Sequence, residues 1–79
     1  MTDVEKMDER QKKLLWHMQD DYAIYRGANG FTASLYWTIE SLIEFKGKFY
    51  LMYGDFNEKE RVQIIQAFTN WALEQEDDE

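Results

Sequence analysis

Catalysis and metal binding begin with side chains that can move a proton, attack or ligate, and in this chain of 79 residues the single histidine is the first to weigh. His17 stands three and four residues before Asp20 and Asp21, so on a helix it shares a face with a carboxylate. Two ligands could meet there. A zinc site draws on a third protein ligand, however, and the sequence has neither a second histidine nor any cysteine to supply one. The pattern is read as a solvated histidine beside two acids, with no metal and no cofactor.

A nucleophile needs a base held against it. His17 would have to serve Ser34, Ser41 or a threonine, and nothing around those residues suggests a nucleophile elbow or an oxyanion pocket. Paired carboxylates could support hydrolysis, yet among 16 acids close pairs are inevitable and carry almost no information. The letters "GANG" at 27–30 match a two-glycine loop that clamps nucleic-acid backbone in one RNA-binding module, but that module needs basic surroundings and a different element order. A helix stop followed by a turn is the better reading. "DFNEKE" at 55–60 falls short of a calcium loop and reads as a helix cap. No enzyme is predicted.

The bulk properties agree with a small binding protein. A chain this short hides only about 60% of its unfolded surface, which makes one domain, assigned to residues 1–73. Its core must come from a 44% apolar composition with 3 Trp, 5 Tyr and 5 Phe, because no disulfide can form. The start, "MTDVEKMDERQKK", lacks the apolar stretch of a signal peptide, and no run approaches about 18 apolar residues. A soluble, cytoplasmic protein without membrane contact is expected.

The net charge of −7 is unevenly placed. Five acids fall in "EQEDDE", residues 74–79, which leaves 11 acidic and 9 basic side chains in residues 1–73, a net of −2. That near balance weighs against an acidic nucleic-acid mimic. The nine basic residues form no stripe that could displace phosphate counterions, so direct nucleic-acid binding is not expected either. The tail should fray, since carboxylates oppose the negative end of a helix dipole and repel one another.

Two helices follow from apolar spacing. A long amino-terminal helix is expected from Val4 to Tyr25, with Thr2 and Glu5 as a capping box. Its stripe is Val4, Met7, Leu14, Leu15, Met18, Tyr22 and Tyr25, with Gln11 as the one polar break. Gly27 or Gly30 would close it in the left-handed conformation. A carboxy-terminal helix is capped by Asn57 with Glu60 three residues on, and buries Ile64, Ile65, Phe68, Trp71 and Ala72, with Val62 at the edge.

The segment between them, "LYWTIESLIEFKGKFYLMYGDF" at 35–56, favours period two. Leu35, Trp37, Ile39, Ile43 and Phe45 fall on odd positions, and the even positions are mostly polar. Gly47 between two lysines suits a tight turn, and "KFYLMY" is rich in β-favouring residues. An antiparallel hairpin is expected, giving an α+β fold of order α-β-β-α. A helix through Leu35, Ile39, Leu42 and Phe45 competes with it, as does a short helix over 32–40 leading into a strand; the hairpin register stays open.

Two helices packed on one face of a hairpin leave the other face uncovered, unless they straddle it and bury both. With Trp37, Ile39, Ile43 and Phe45 inward, the contact residues for a partner are Tyr36, Leu42, Tyr50 and Met52, with Tyr22, Tyr25 and Arg26 as a second group. The expected function is a non-enzymatic protein-binding module. It would be a small regulatory or inhibitory protein, of a size that compact genomes such as those of phages encode, acting on a protein partner of unknown identity. A structural homo-oligomer formed by self-association is the alternative.

Overall fold

The computed structural model describes residues 7–76. They form helices α1 (Glu9–Arg26), α2 (Phe31–Ile43), α3 (Tyr50–Gly54) and α4 (Glu58–Glu76), with no strand among the described residues. The expected α+β fold is therefore corrected to an all-helical one. What reads as a hairpin is a helix, a turn and a short helix. The helix α1 packs against α2 and α4, and α2 packs also against α3 and α4. The backbone occupies a thin plate of 34 × 29 × 16 Å.

The capping box of α1 is built from Asp8 and Gln11. Asp8 Oδ1 accepts from the Gln11 amide at 2.8 Å, and the Asp8 amide donates back to Gln11 Oε1 at 2.9 Å. The pair expected to do this, Thr2 and Glu5, lies outside the described residues, as does Val4. From Glu9 to Arg26 the helix is 18 residues long, about 27 Å. It does not close on a left-handed glycine: Gly27 is right-handed at φ −64°, and no glycine has positive φ. Asn29 closes the end instead, donating from Nδ2 to the Tyr25 carbonyl at 3.1 Å.

The α4 cap matches its spacing in the sequence. Asn57 Oδ1 accepts from the Glu60 amide at 2.8 Å, and Glu60 Oε1 accepts from the Asn57 amide at 3.0 Å. Ile64, Ala67, Phe68 and Ala72 are buried, Ile65 and Trp71 pack beside them, and Val62 stays exposed. The helix continues to Glu76, three residues into the segment expected to fray; residues 77–79 lie outside the described part. Leu14 and Met18 of α1, Leu42 of α2, and Ile64 and Phe68 of α4 form the sealed centre. The Tyr22 ring stands edge-on to Phe31, Phe68 and Trp71 at centroid distances of 5.5–6.4 Å.

The helix α2 hides small hydroxyl residues and shows large apolar ones. Ser34 and Thr38 are buried one turn apart, with Leu42 a further turn on. Their polar atoms need no outside partner, because Ser34 Oγ donates to the Gly30 carbonyl at 2.8 Å and Thr38 Oγ1 to the Ser34 carbonyl at 2.9 Å. Phe31, Leu35 and Ile39 pack beside them against the core. A helical face of Ser34, Leu35, Thr38, Ile39 and Leu42 looks polar at alternate positions, and for that reason period two imitated it. The inward placement of Trp37, Ile43 and Phe45 is overturned: all three are exposed.

The chain reverses at residues 44–49, but glycine is not used there for its left-handed freedom. Lys46 takes φ 73°, a conformation that costs a non-glycine residue about 1 kcal/mol. Gly47 is needed for closeness: a Cβ on it would stand 2.6 Å from the Ser41 carbonyl oxygen and 2.8 Å from that of Glu44. The amide of Gly47 donates to Glu44 O at 2.7 Å and that of Phe49 to Ser41 O at 3.2 Å, so the turn folds flat onto the end of α2.

Candidate functional site

The short helix α3 contributes no buried residue of its own. Buried Phe49 before it and buried Phe56 after it act as two pegs, and the six residues between, α3 and Asp55, are slung across the edge of the plate. Arg61 of α4 ties down the far end, donating from Nε to the Tyr53 carbonyl and from Nη2 to the Gly54 carbonyl, each at 3.2 Å. Its guanidinium also lies 4.9 Å from the centre of the Tyr53 ring. Burial raises the Tyr53 phenol above its usual pKa.

Held this way, α3 meets the end of α2 in an exposed apolar corner. Ile43 is 62% exposed, Phe45 71% and Leu51 81%, with Tyr50 between them. The Phe45 and Tyr50 rings contact edge-to-face at 5.6 Å. Tyr50 and Leu51 are common to two grooves. One, of about 480 Å³, runs over Leu42, Ile43, Tyr53 and Arg61; the other, of about 530 Å³, runs over Phe45, Lys46, Lys48 and Met52. Met52 continues into a third of about 150 Å³ with Arg10, Lys13, Asp55 and Phe56. Single exposed apolar side chains are ordinary, so contiguity is the informative feature here. Leaving Ile43, Phe45 and Leu51 in water forgoes about 5 kcal/mol of burial, comparable with the whole stability of a small domain.

The predicted contact residues divide. Tyr50 and Met52 fall at the corner, Tyr50 on its rim and Met52 half-buried in its floor. Tyr36 is exposed, and its position seven residues before Ile43 puts it on the same side of α2. Its hydroxyl donates to Glu40 Oε2 at 3.1 Å, which raises its pKa. Leu42 was expected outside and is 0% exposed, a core residue beneath the first groove. Ile43, Phe45 and Leu51, the most exposed members of the corner, escaped the sequence reading. Helical spacing of Leu35, Ile39 and Leu42 bears on Ile43 alone, because continued to Phe45 it keeps that ring on the inner face and it does not reach Leu51.

The second predicted group lies at the opposite end of α1. Tyr22 is buried, while Tyr25 is half-buried with its ring 5.6 Å from that of Trp37. Arg26 is committed to α4, with Nε 2.9 Å from Glu76 Oε2 and Nη2 3.1 Å from Oε1. Tyr22 also donates to Glu76 Oε2, at 3.3 Å. A groove of about 430 Å³ opens beside Tyr22, Arg26, Trp71 and Glu76, but its charged groups already satisfy one another.

His17 is placed for packing. Its ring meets Trp16 edge-on at 5.0 Å and stacks on Phe49 at 6.1 Å. Asp21, one of its two acidic neighbours in sequence, pairs with Lys48. Among the described residues no group of three or more histidines or acids is arranged to hold a metal ion, and no helix is long and apolar enough to cross a membrane. No protein-family model, curated protein or solved structure matches this chain.

Proposed function

We propose that this chain is a non-catalytic protein-binding module whose contact face is the α2–α3 corner. The observation that carries this reading is the contiguity of Ile43, Phe45, Tyr50 and Leu51 around two connected grooves. Aromatic and aliphatic side chains displayed on a braced element are the composition of interface centres. The bracing by Phe49, Phe56 and Arg61 lowers the ordering cost of association, because the short helix is fixed before a partner arrives.

The test is affinity capture from the source organism with the intact chain and two variants. Phe45→Ser/Leu51→Ser strips the corner, and Ile24→Ser removes an exposed apolar residue elsewhere on α1. A discrete partner held by the parent and by Ile24→Ser, and lost by the double variant, is the expected result. Equal capture by all three proteins rejects the corner as the contact face.

A further inference from the structure

We infer that the occupant of the α2–α3 corner is an acidic polypeptide segment bearing apolar anchors, an inference that rests on reading the corner as a protein-binding face. The observation behind it is where the basic residues stand. Of the nine in the chain, five line the three grooves around α3: Arg61 the first, Lys46 and Lys48 the second, Arg10 and Lys13 the third. Among the described residues, Asp55 is the one acid on those walls. In a chain of net charge −7, the described walls of these grooves thus carry more basic than acidic residues.

These cations differ in how free they are. Lys48 is held by Asp21 at 2.8 Å. Arg61 meets Glu58 at 3.5 Å, and Arg10 meets Asp8 at 3.9 Å, long contacts of exposed partners that a better-placed carboxylate can replace. Lys13 and Lys46 form no ion pair among the described residues. They sit in neighbouring grooves joined by Met52. A segment laid along that line would place apolar side chains against Phe45, Tyr50, Leu51 and Met52, and carboxylates toward Lys46 on one side and Lys13 and Arg10 on the other.

Two other occupants fit less well. A symmetric dimer through this face would bring the same lysines and arginines of two copies together, a like-charge contact around the interface rim. A nucleic acid carries a charge about every 3.4 Å along each strand and would run past the corner onto a body of opposite preference. A short acidic segment stays within the basic zone.

The experiment pans a displayed random-peptide library on the full-length chain and measures the enriched peptides, fluorescein-labelled, by anisotropy. Enriched peptides should combine Asp or Glu with Trp, Phe or Leu. Their affinity should fall about tenfold in Lys13→Glu/Lys46→Glu, fall further in Phe45→Ser/Leu51→Ser, and stay unchanged in Lys59→Glu, with circular dichroism confirming that each variant folds. Neutral apolar peptides that depend on Phe45 and Leu51 but ignore Lys13 and Lys46 would overturn the acidic partner and leave the corner standing. Peptides indifferent to both pairs, or no enrichment, would remove both readings. Binding of oligothymidylate that is lost in Lys13→Glu/Lys46→Glu, or self-association in sedimentation that is lost in Phe45→Ser/Leu51→Ser, would replace the acidic segment by a nucleic acid or by a second copy.

Discussion

Lys48 Nζ lies 2.8 Å from Asp21 Oδ1, fastening the turn between α2 and α3 to the middle of α1. The Asp21 side chain is only 7% exposed, and its second oxygen has no protein donor. Its negative charge therefore leans on one cation that is itself largely in water. Lys48→Met should destabilise the fold by about 2 kcal/mol, because it strands a buried carboxylate. Adding Asp21→Asn should recover most of that loss. Urea midpoints of the two variants check both statements, and a double variant no better than the single one would show that the pair is not the cause.

Gly47 and Gly54 provide a matched steric contrast. Gly47→Ala drives a methyl into two backbone carbonyls and should cost about 2–3 kcal/mol, whereas Gly54, with open space for 4 Å around where a methyl would stand, should accept alanine with little change. Lys46→Gly, which relieves the positive φ, should gain about 0.5 kcal/mol after the extra flexibility of the unfolded chain is subtracted. At this size about 1 kcal/mol shifts Tm by roughly 4–8 °C, so thermal melts resolve all three.

Gln11 does two jobs with one amide. Its Oε1 accepts from the Asp8 amide, and its Nε2 donates to Glu60 O at 3.2 Å and to Gln63 Oε1 at 2.9 Å on α4. Gln11→Glu keeps the capping acceptor and faces two oxygens with another, so it should destabilise by about 2 kcal/mol despite improving the charge at the helix start. Hydrogen exchange should then rise at the amino-terminal turns of both α1 and α4. A rise in α1 alone would deny the bridge.

The pH profile should fall at both ends. Hydrogen bonding to Arg26, aided by its charge, holds the Glu76 carboxyl below its ordinary pKa. Its stabilising share is complete above the ordinary glutamate value and is lost as pH falls through the lowered one. The Tyr22 phenol is raised by burial and then by Glu76, and Lys48 is raised by its hydrogen bond to Asp21. Those shares are complete below the ordinary values near 10 and disappear as pH climbs through the raised ones. Urea midpoints taken from about pH 3 to pH 11 should show both limbs, with Glu76→Gln softening the acid limb.

The terminal helices were legible because their buried faces are apolar except at Gln11 and Asp21. Leu14, Leu15, Met18 and Tyr22, and likewise Ile64, Phe68 and Ala72, carry the helical period on side chains that say what they do. Asn57 and Glu60 were legible for a local reason, since a capping box closes within four residues. The middle was not, because Ser34 and Thr38 are polar letters at buried positions whose hydroxyls close on their own helix. Counting Thr38 with the polar even positions turned the helical period into alternation and sent Ile43 and Phe45 to the wrong side. Gly47 marked the place of the reversal without revealing its nature, because the glycine serves a close approach and the positive φ belongs to Lys46. Tyr50 and Met52 were assigned to the outer face of a hairpin that does not form and stand at the corner on a short helix instead, and Leu42 was misplaced with the period.

The self-closing hydroxyls of α2 have a mechanical corollary. A bond that begins and ends on the same rod keeps its length however the rod is rolled or slid against its neighbours, so the hydrogen bonds of Ser34 and Thr38 contribute nothing to indexing it. Its angular setting rests on the shapes of Phe31, Leu35, Ile39 and Leu42, and on the clasp that the following turn makes with α1. Torque applied at Ile43 and Phe45 would be resisted by steric fit and one ionic latch.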